Sequence, residues 1–125
     1  MIAREREFEK VKEVDSEKRD EVFDDANGDL AIGDLEGAVA KYRQCVEIDP
    51  DFFDGWHALG MALMKTGKIK EAIGAGLQST TLRPNDLLAW TALSQMYVQD
   101  GQIAEAEDAK GKARILSLGG RVVRD

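Results

Sequence analysis

One cysteine and one histidine could supply nucleophilic chemistry, because a thiol beside an imidazole is the pair that cysteine hydrolases use. Cys45 and His57 are the single residues of their types in the 125-residue chain. A nucleophile also needs an oriented base and an oxyanion site, and no third partner is evident in the sequence. We therefore predict that the chain is not an enzyme.

Two other patterns could bind ions or phosphates. The run from Asp24 to Asp29 is similar to a calcium loop, but aligning Gly28 with the required glycine puts Phe23 at the first ligand position. The Gly74-Ala-Gly76 segment has no preceding strand and no Gly-Lys-Thr ending, so it does not match a phosphate loop. We predict neither a metal nor a cofactor.

A six-residue phrase that occurs three times decides the architecture. Its copies are Gly33-Asp-Leu-x-x-Ala38, Gly67-Lys-Ile-x-x-Ala72 and Gly101-Gln-Ile-x-x-Ala106, each 34 residues after the last. A period of this length is typical of a solenoid, in which each unit buries its apolar face only by stacking on its neighbours. Such stacks are binding surfaces, so the period also predicts an interaction protein.

Each unit is predicted to contain two helices. An apolar stripe at i, i+3, i+4 and i+7 predicts a helix over about 54–66, which is the first helix of its unit. The stripe recurs 34 residues later, in the next unit. Its members are Trp56, Leu59, Gly60 and Leu63 in one copy and Trp90, Leu93, Ser94 and Tyr97 in the next. Gly67 and Gly101 are expected to end these helices, and Pro50 and Pro84 to end the second helices.

The stripe, followed by Ala72 and Pro84, resembles the tetratricopeptide repeat (TPR) pattern of W-x-x-L-G-x-x-Y, A, F and P. The resemblance implies an all-α superhelix of three helix-turn-helix repeats. We assign the repeats to 19–52, 53–86 and 87–118, after a charged helical extension over 1–18 and before a tail over 119–125. The extension either continues the first helix or packs as an extra turn on the stack.

Two departures from the pattern leave alternatives open. Asp25 and Asp29 occupy core positions of the first helix, so this helix is either a polar end cap, which we favour, or is rotated with Val22, Phe23, Ala26 and Leu30 inward. Gly76 stands where the family has a bulky aromatic residue. Either Trp90 of the next repeat fills that space, which we favour, or a pocket remains.

The resemblance implies a concave groove, lined by the first helices, that holds a segment of a partner protein. The residues that it places in the groove are Phe23, Asp24, Asn27, Asp54, His57, Met61, Met64, Lys65, Leu88, Thr91, Gln95 and Val98. The alternative for Met61 and Met64 is that they fill gaps in the core. Chaperone-binding members hold a carboxylate with a Lys and Asn clamp, whose positions here are Phe23, Asn27, Ala58, Leu88 and Ala92. Only Asn27 matches, so we do not predict a carboxylate clamp.

Charge indicates the chemistry of the partner. Residues 21–55 contain ten acidic and two basic side chains, whereas residues 56–125 contain seven and nine. An acidic surface disfavours nucleic acid and attracts basic segments, so we predict a basic, amphipathic peptide as partner. The alternative is a homo-oligomeric scaffold in which the last helix or the tail contacts the acidic first repeat of another copy. The chain has no apolar stretch long enough for membrane insertion and no signal-peptide pattern, and we expect a soluble, cytoplasmic protein.

Overall fold

Helices paired in sequence order form the whole described architecture. A computed structural model describes residues 2–124, with side chains from residue 15 onward, so Met1 and Asp125 of the predicted extension and tail lie outside it. The helices are α1 (Ile2–Ala31), α2 (Leu35–Ile48), α3 (Phe53–Lys65), α4 (Ile69–Leu82), α5 (Leu87–Gln99) and α6 (Ile103–Ser117). Consecutive helices pair within each repeat, and α2 packs on α3 and α4 on α5 between repeats. The predicted all-α solenoid of three helix pairs is confirmed.

The repeated glycine ends the first helix of each pair. Gly67 has a φ of 81° and Gly101 a φ of 76°, in the left-handed region where a Cβ is unfavourable. The amide of Lys68 then donates to the carbonyl of Leu63 at 3.0 Å, which satisfies a carbonyl that the helix leaves open. The second helices end two residues before each proline, at Ile48 and Leu82. Both kinds of helix end agree with the sequence prediction.

The extension and the first repeat share one helix, since α1 runs without a break from Ile2 to Ala31. Val22 and Ala26 are buried, whereas Asp25 is exposed. Asp29 forms an ion pair with Lys41 of α2 at 2.8 Å. The helix therefore combines the two alternatives: its apolar residues pack inward as in the rotated arrangement, and its outer face is polar as in an end cap.

The space beside Gly76 is filled, but Trp90 does not fill it. A Cβ placed on Gly76 would lie 3.0 Å from the Sδ of Met96 and 3.1 Å from a methyl of Leu93. Trp90 instead donates its indole N–H to the carbonyl of Pro84 at 2.8 Å. The prediction of a packed site is confirmed and the choice of Trp90 was wrong, because the hydrogen bond holds the indole at the loop before α5.

The two repeat junctions have residues of opposite size at equivalent positions. One period before Gly76 and Met96 stand Tyr42 and Ala62, and both of these are buried. The first junction thus combines a large residue on the second helix with a small one on the next repeat, and the second junction does the reverse. Close packing requires such compensation, since interiors leave few voids.

Candidate functional site

The first helices of the repeats lie side by side and form one layer. α3 contacts α5 directly. Phe23 of α1 packs edge-on against Phe52, the residue before α3, with ring centroids 5.2 Å apart. The groove residues predicted from the sequence all belong to these three helices.

The middle of the layer is apolar and partly accessible. Met61 and Met64 are half-buried and pack against the hydrophobic core, so each combines a core contact with a solvent-facing part. His57 stacks on Phe53 with centroids 5.8 Å apart and nearly parallel rings. Asp54 and Lys65 are exposed at opposite ends of α3. A ligand on this layer would meet thioether and imidazole surfaces between two opposite charges.

The first-repeat part of the layer is more structural than the sequence suggested. Phe23 is half-buried and tilted against Tyr42, with centroids 5.6 Å apart. Tyr42 donates its hydroxyl hydrogen to Oδ1 of Asn27 at 2.6 Å. Asp24 is exposed. Tyr42 therefore brings Phe23 and Asn27 together, and Asp24 remains an accessible negative charge.

The third-repeat part of the layer is the most exposed. Leu88 is 67% exposed and Val98 56%, which is high for aliphatic side chains. The Thr91 hydroxyl donates to the carbonyl of Leu87 at 2.9 Å, a bond within the helix. Gln95 and Val98 line a shared cavity of about 400 Å³. Its other wall includes Glu107 and Lys110 of α6, so this end of the layer opens toward the last helix.

Cation and aromatic contacts beside the layer were missed by sequence reasoning. The Arg83 guanidinium lies 4.2 Å from the centroid of the Phe53 ring, and that of Arg19 lies 4.3 Å from the Phe52 ring. Arg19 also pairs with Asp49 at 2.6 Å. The adjacent phenylalanines at the start of α3 were the available signal, because aromatic faces attract guanidinium groups. The Phe53 ring therefore contacts both the Arg83 guanidinium and the His57 imidazole.

Cys45 is placed where it cannot act as a nucleophile. The residue is fully buried, and its Sγ lies 3.5 Å from the carbonyl oxygen of Arg19. Burial raises the pKa of the thiol to about 11, so it stays protonated at neutral pH. Its position one helix turn after Tyr42, on the buried side of α2, is that of a small core residue.

The tail folds back on the chain through the side chain of Asn85. Oδ1 of Asn85 accepts hydrogen bonds from the amides of Val122 and Val123 at 2.8 and 3.0 Å, and its Nδ2 donates to the carbonyl of Val123 at 2.8 Å. Asn85 lies in the loop between α4 and α5. The tail is therefore bound within its own chain, whereas the assembly alternative placed it against another copy.

Within the part of the chain that the structure describes, every helix is too short or too polar to cross a membrane. The repeated helix pairs, stacked through alternating junctions, define an α-solenoid repeat protein. Family models for TPR repeats match residues 27–67 and, for a single tetratricopeptide repeat, residues 53–86. Residues 27–86 therefore consist of tetratricopeptide repeats.

Solved structures with this fold include proteins of several kinds. A MamA structure (AMB-1) is 27% identical with a TM-score of 0.74, over 79% of this chain and 59% of its own. The second TPR of Spaghetti (RPAP3), bound to the HSP90 peptide SRMEEVD, is 22% identical with a TM-score of 0.76, over 83% and 98%. The TPR2B domain of yeast Sti1, in a pHsp70 complex, is 20% identical with a TM-score of 0.77, over 82% of each chain.

The similarity to known proteins is limited in extent. The chain spans about three fifths of the length of the MamA structure. A search of curated protein sequences found no match. The family and the fold together make the chain a protein-protein interaction module.

Proposed function

We propose that the layer formed by α1, α3 and α5 binds a basic, amphipathic segment of a partner protein. The observation that carries the proposal is the half-buried methionine pair on α3, which exposes polarisable surface on a layer that also carries exposed acidic side chains. Thioethers adapt to many apolar shapes and are frequent on binding surfaces. Asp24 on α1 and Asp54 at the start of α3 are exposed on the same layer and would attract cations of the segment.

The apolar side of the segment would lie on Met61, Met64 and Val98. All three retain accessible surface, and Val98 borders an open cavity rather than a packed interface. An aliphatic side chain entering such a cavity loses contact with water, which favours binding by about 25 cal/mol per Å² of apolar area. Specificity for a basic segment would come from the aspartates, and affinity from this apolar strip.

A carboxylate-binding mode of the kind that an acidic peptide such as SRMEEVD invites is not supported by the clamp positions. Ala92 is buried, Leu88 is apolar and exposed, and Asn27 is already bonded to Tyr42. None of them offers a cation to a carboxylate. We also propose a cytoplasmic location, because a single buried thiol suits a reducing compartment.

Fluorescence anisotropy with labelled helical peptides tests the proposal. A lysine-leucine amphipathic peptide should bind, and a glutamate-leucine peptide of the same length should bind at least tenfold more weakly, because the aspartates repel it. Met61→Glu should weaken binding of the basic peptide about tenfold or more, since it replaces apolar contact by a hydrated charge. Met61→Leu should leave binding nearly unchanged.

Gln78→Glu is the matched control, because it adds the same charge at an exposed position on α4, outside the layer. It should bind as the wild type does. Binding that is indifferent to Met61→Glu, or equally affected by Gln78→Glu, would contradict the proposed site. Circular dichroism of each variant confirms that the helices are intact.

A further inference from the structure

The outer face of α1 carries an exposed stripe that no other described helix covers. Glu21, Asp25 and Gly28 follow each other at i, i+4 and i+7 on one side of the helix, and Ile32 continues the stripe directly after the helix ends. All four are exposed, Ile32 to 80%. A Cβ placed on Gly28 would meet no atom within 4 Å. Along this side of α1, two acidic residues, a glycine without a side chain and an aliphatic residue therefore face solvent one after another.

The outer face of α6 is likewise open at the other end of the stack. Two adjoining cavities of about 450 and 400 Å³ lie between α5 and α6, and both are bordered by Glu107 and Lys110. Lys110 and Arg114 are exposed along this face, and Ala104 is exposed at the start of α6, where it borders a separate cavity. At the equivalent place in the earlier repeats, the next first helix is seated: α3 on α2, and α5 on α4.

Contacts at those two seats show which positions meet between repeats. Gly76 of α4 faces Leu93 and Met96 of α5. Val46 of α2 faces Gly55 of α3, where a Cβ would lie 3.0 Å from a Val46 methyl. Each of these contacts can be moved along the chain by the 34-residue period.

A charged contact gives a third rule. Lys70 of α4 pairs with Asp100 at the end of α5, with Nζ and Oδ2 3.4 Å apart. The three contacts lie at different positions along the packed helices. Together they define the register in which a first helix packs on the second helix before it.

Shifting these contacts by the 34-residue period pairs residues of α6 with residues of α1 in a second copy. The paired residues are complementary at each of the three positions. Lys110 takes the place of Gly76, and Asp25 and Gly28 take those of Leu93 and Met96. The long cation thus meets an opposite charge and a residue with no side chain.

The remaining two contacts are complementary as well. Arg114 takes the place of Val46 and meets Glu21 in the place of Gly55, which is a second pair of opposite charges. Ala104 takes the place of Lys70 and meets Ile32 in the place of Asp100, where both residues are apolar. Among the described side chains, Lys110 and Arg114 form no ion pair within their own chain.

We propose that α1 of a second copy of this chain docks on the α5–α6 face in the register of a following repeat. The two surfaces differ, so the contact is heterologous and head-to-tail, and each added copy exposes a new α6 face. The layer of first helices would continue from copy to copy, because the repeat geometry is kept across the junction.

Sedimentation velocity of the full chain over a wide concentration range tests the proposal. The average mass should increase with concentration at about 0.05 M salt and much less at about 1 M, where the screening length is only about 3 Å. Asp25→Lys and Lys110→Asp should each abolish the increase, because each places like charges opposite one another. Glu47→Lys is the matched control, since it makes the same charge change at an exposed position of α2 away from both faces. It should associate as the wild type does.

An equimolar mixture of the two reversed variants gives the decisive result. The lysine introduced at position 25 of one variant then faces the aspartate introduced at position 110 of the other. At the next junction the native Asp25 and Lys110 face each other. Association should therefore return in the mixture, although neither variant associates alone.

Three results would overturn the proposal: a wild-type chain that stays monomeric at all concentrations, variants that associate normally, or a mixture that stays monomeric. A monomeric wild type would leave this face to a different occupant, such as an acidic helix of another protein. Asp25→Lys leaves the groove residues and the cavity beside Val98 unchanged, so its binding of the basic peptide is a separate measurement. Lys110→Asp is left out of that measurement, because Lys110 borders the same cavity as Val98.

Discussion

Exchanging the sizes of Gly76 and Met96 tests the repeat-junction packing directly. Met96 is fully buried, and atoms of its side chain would lie 2.9 Å from a Cβ on Gly60 and 3.0 Å from a Cβ on Gly76. Met96→Ala should lower the free energy of unfolding by about 2–5 kcal/mol, because the cavity between the two glycines cannot fully close. Gly76→Tyr should cost about 1–3 kcal/mol or more, since the ring would overlap Met96.

The double variant Gly76→Tyr/Met96→Ala reproduces the combination of Tyr42 and Ala62 at the first junction. The new ring can occupy the space that the methionine leaves. We expect the double variant to be more stable than the sum of the single effects by about 1–3 kcal/mol. Gly74→Ala is the matched control, because Gly74 lies in the same helix with no atom within 4 Å of its missing Cβ. It should be neutral or stabilising by up to about 1 kcal/mol.

Urea unfolding followed by far-ultraviolet circular dichroism measures all four free energies in one series. Additive single effects in the double variant would refute the reasoning, because they would mean that the two residues do not share the space. A Gly76→Tyr variant as stable as the wild type would refute it as well, since the space would then be empty.

Three further perturbations test other parts of the structure. Asn85→Ala should accelerate amide hydrogen exchange at Val122 and Val123, because both amides lose their shared acceptor. Asn85→Asp should accelerate it less, because it keeps that acceptor. Unchanged exchange in Asn85→Ala would contradict the docked tail. Gly67→Ala should lower the free energy of urea unfolding by about 1 kcal/mol because of the left-handed backbone, and an unaltered midpoint would speak against that turn. Cys45 should react with a disulfide reagent at pH 8 roughly a hundredfold more slowly than an ordinary thiol, because burial raises its pKa to about 11. The reaction rate of the native chain should increase with pH. Labelling as fast as that of the urea-unfolded chain would contradict the burial.

Local signals made most of the fold predictable from the sequence. The glycine at each turn needs a positive φ and each proline ends a ladder of hydrogen bonds, so helix ends could be read from single residues. The apolar stripe of α3 specified its buried face because the stripe repeats with the helical period.

Contacts between repeats were harder to predict, because they depend on which of several large residues reaches a given space. Gly76 signalled a gap, yet the sequence did not distinguish Trp90 from Met96 as its occupant. The indole hydrogen bond to Pro84 decides the matter, and such a bond is a property of the folded loop. The role of Asn85 was missed for the same reason, since its partners lie more than 35 residues away.

The sequence assigned the predicted groove to the first helices, but it did not indicate how exposed each groove residue is. Phe23 and Asn27 belong to the family's groove positions, and both are engaged with Tyr42 in this chain. Leu88 and Val98 could not be distinguished from core residues by type alone, although they are among the most exposed aliphatic side chains. Exposure depends on what covers a side chain, and the sequence of one repeat does not specify that.

Nuclear magnetic resonance titration of the isotope-labelled chain with the basic amphipathic peptide tests the central claim most directly. The account predicts shifts concentrated on α3 and α5, with the methyl signals of Met61, Met64 and Val98 moving together and saturating at one affinity. Signals from the outer side of α4, such as that of Gln78, should stay in place. Shifts confined to the second helices, or an absence of shifts with a peptide that binds by anisotropy, would contradict a binding surface on the layer of first helices.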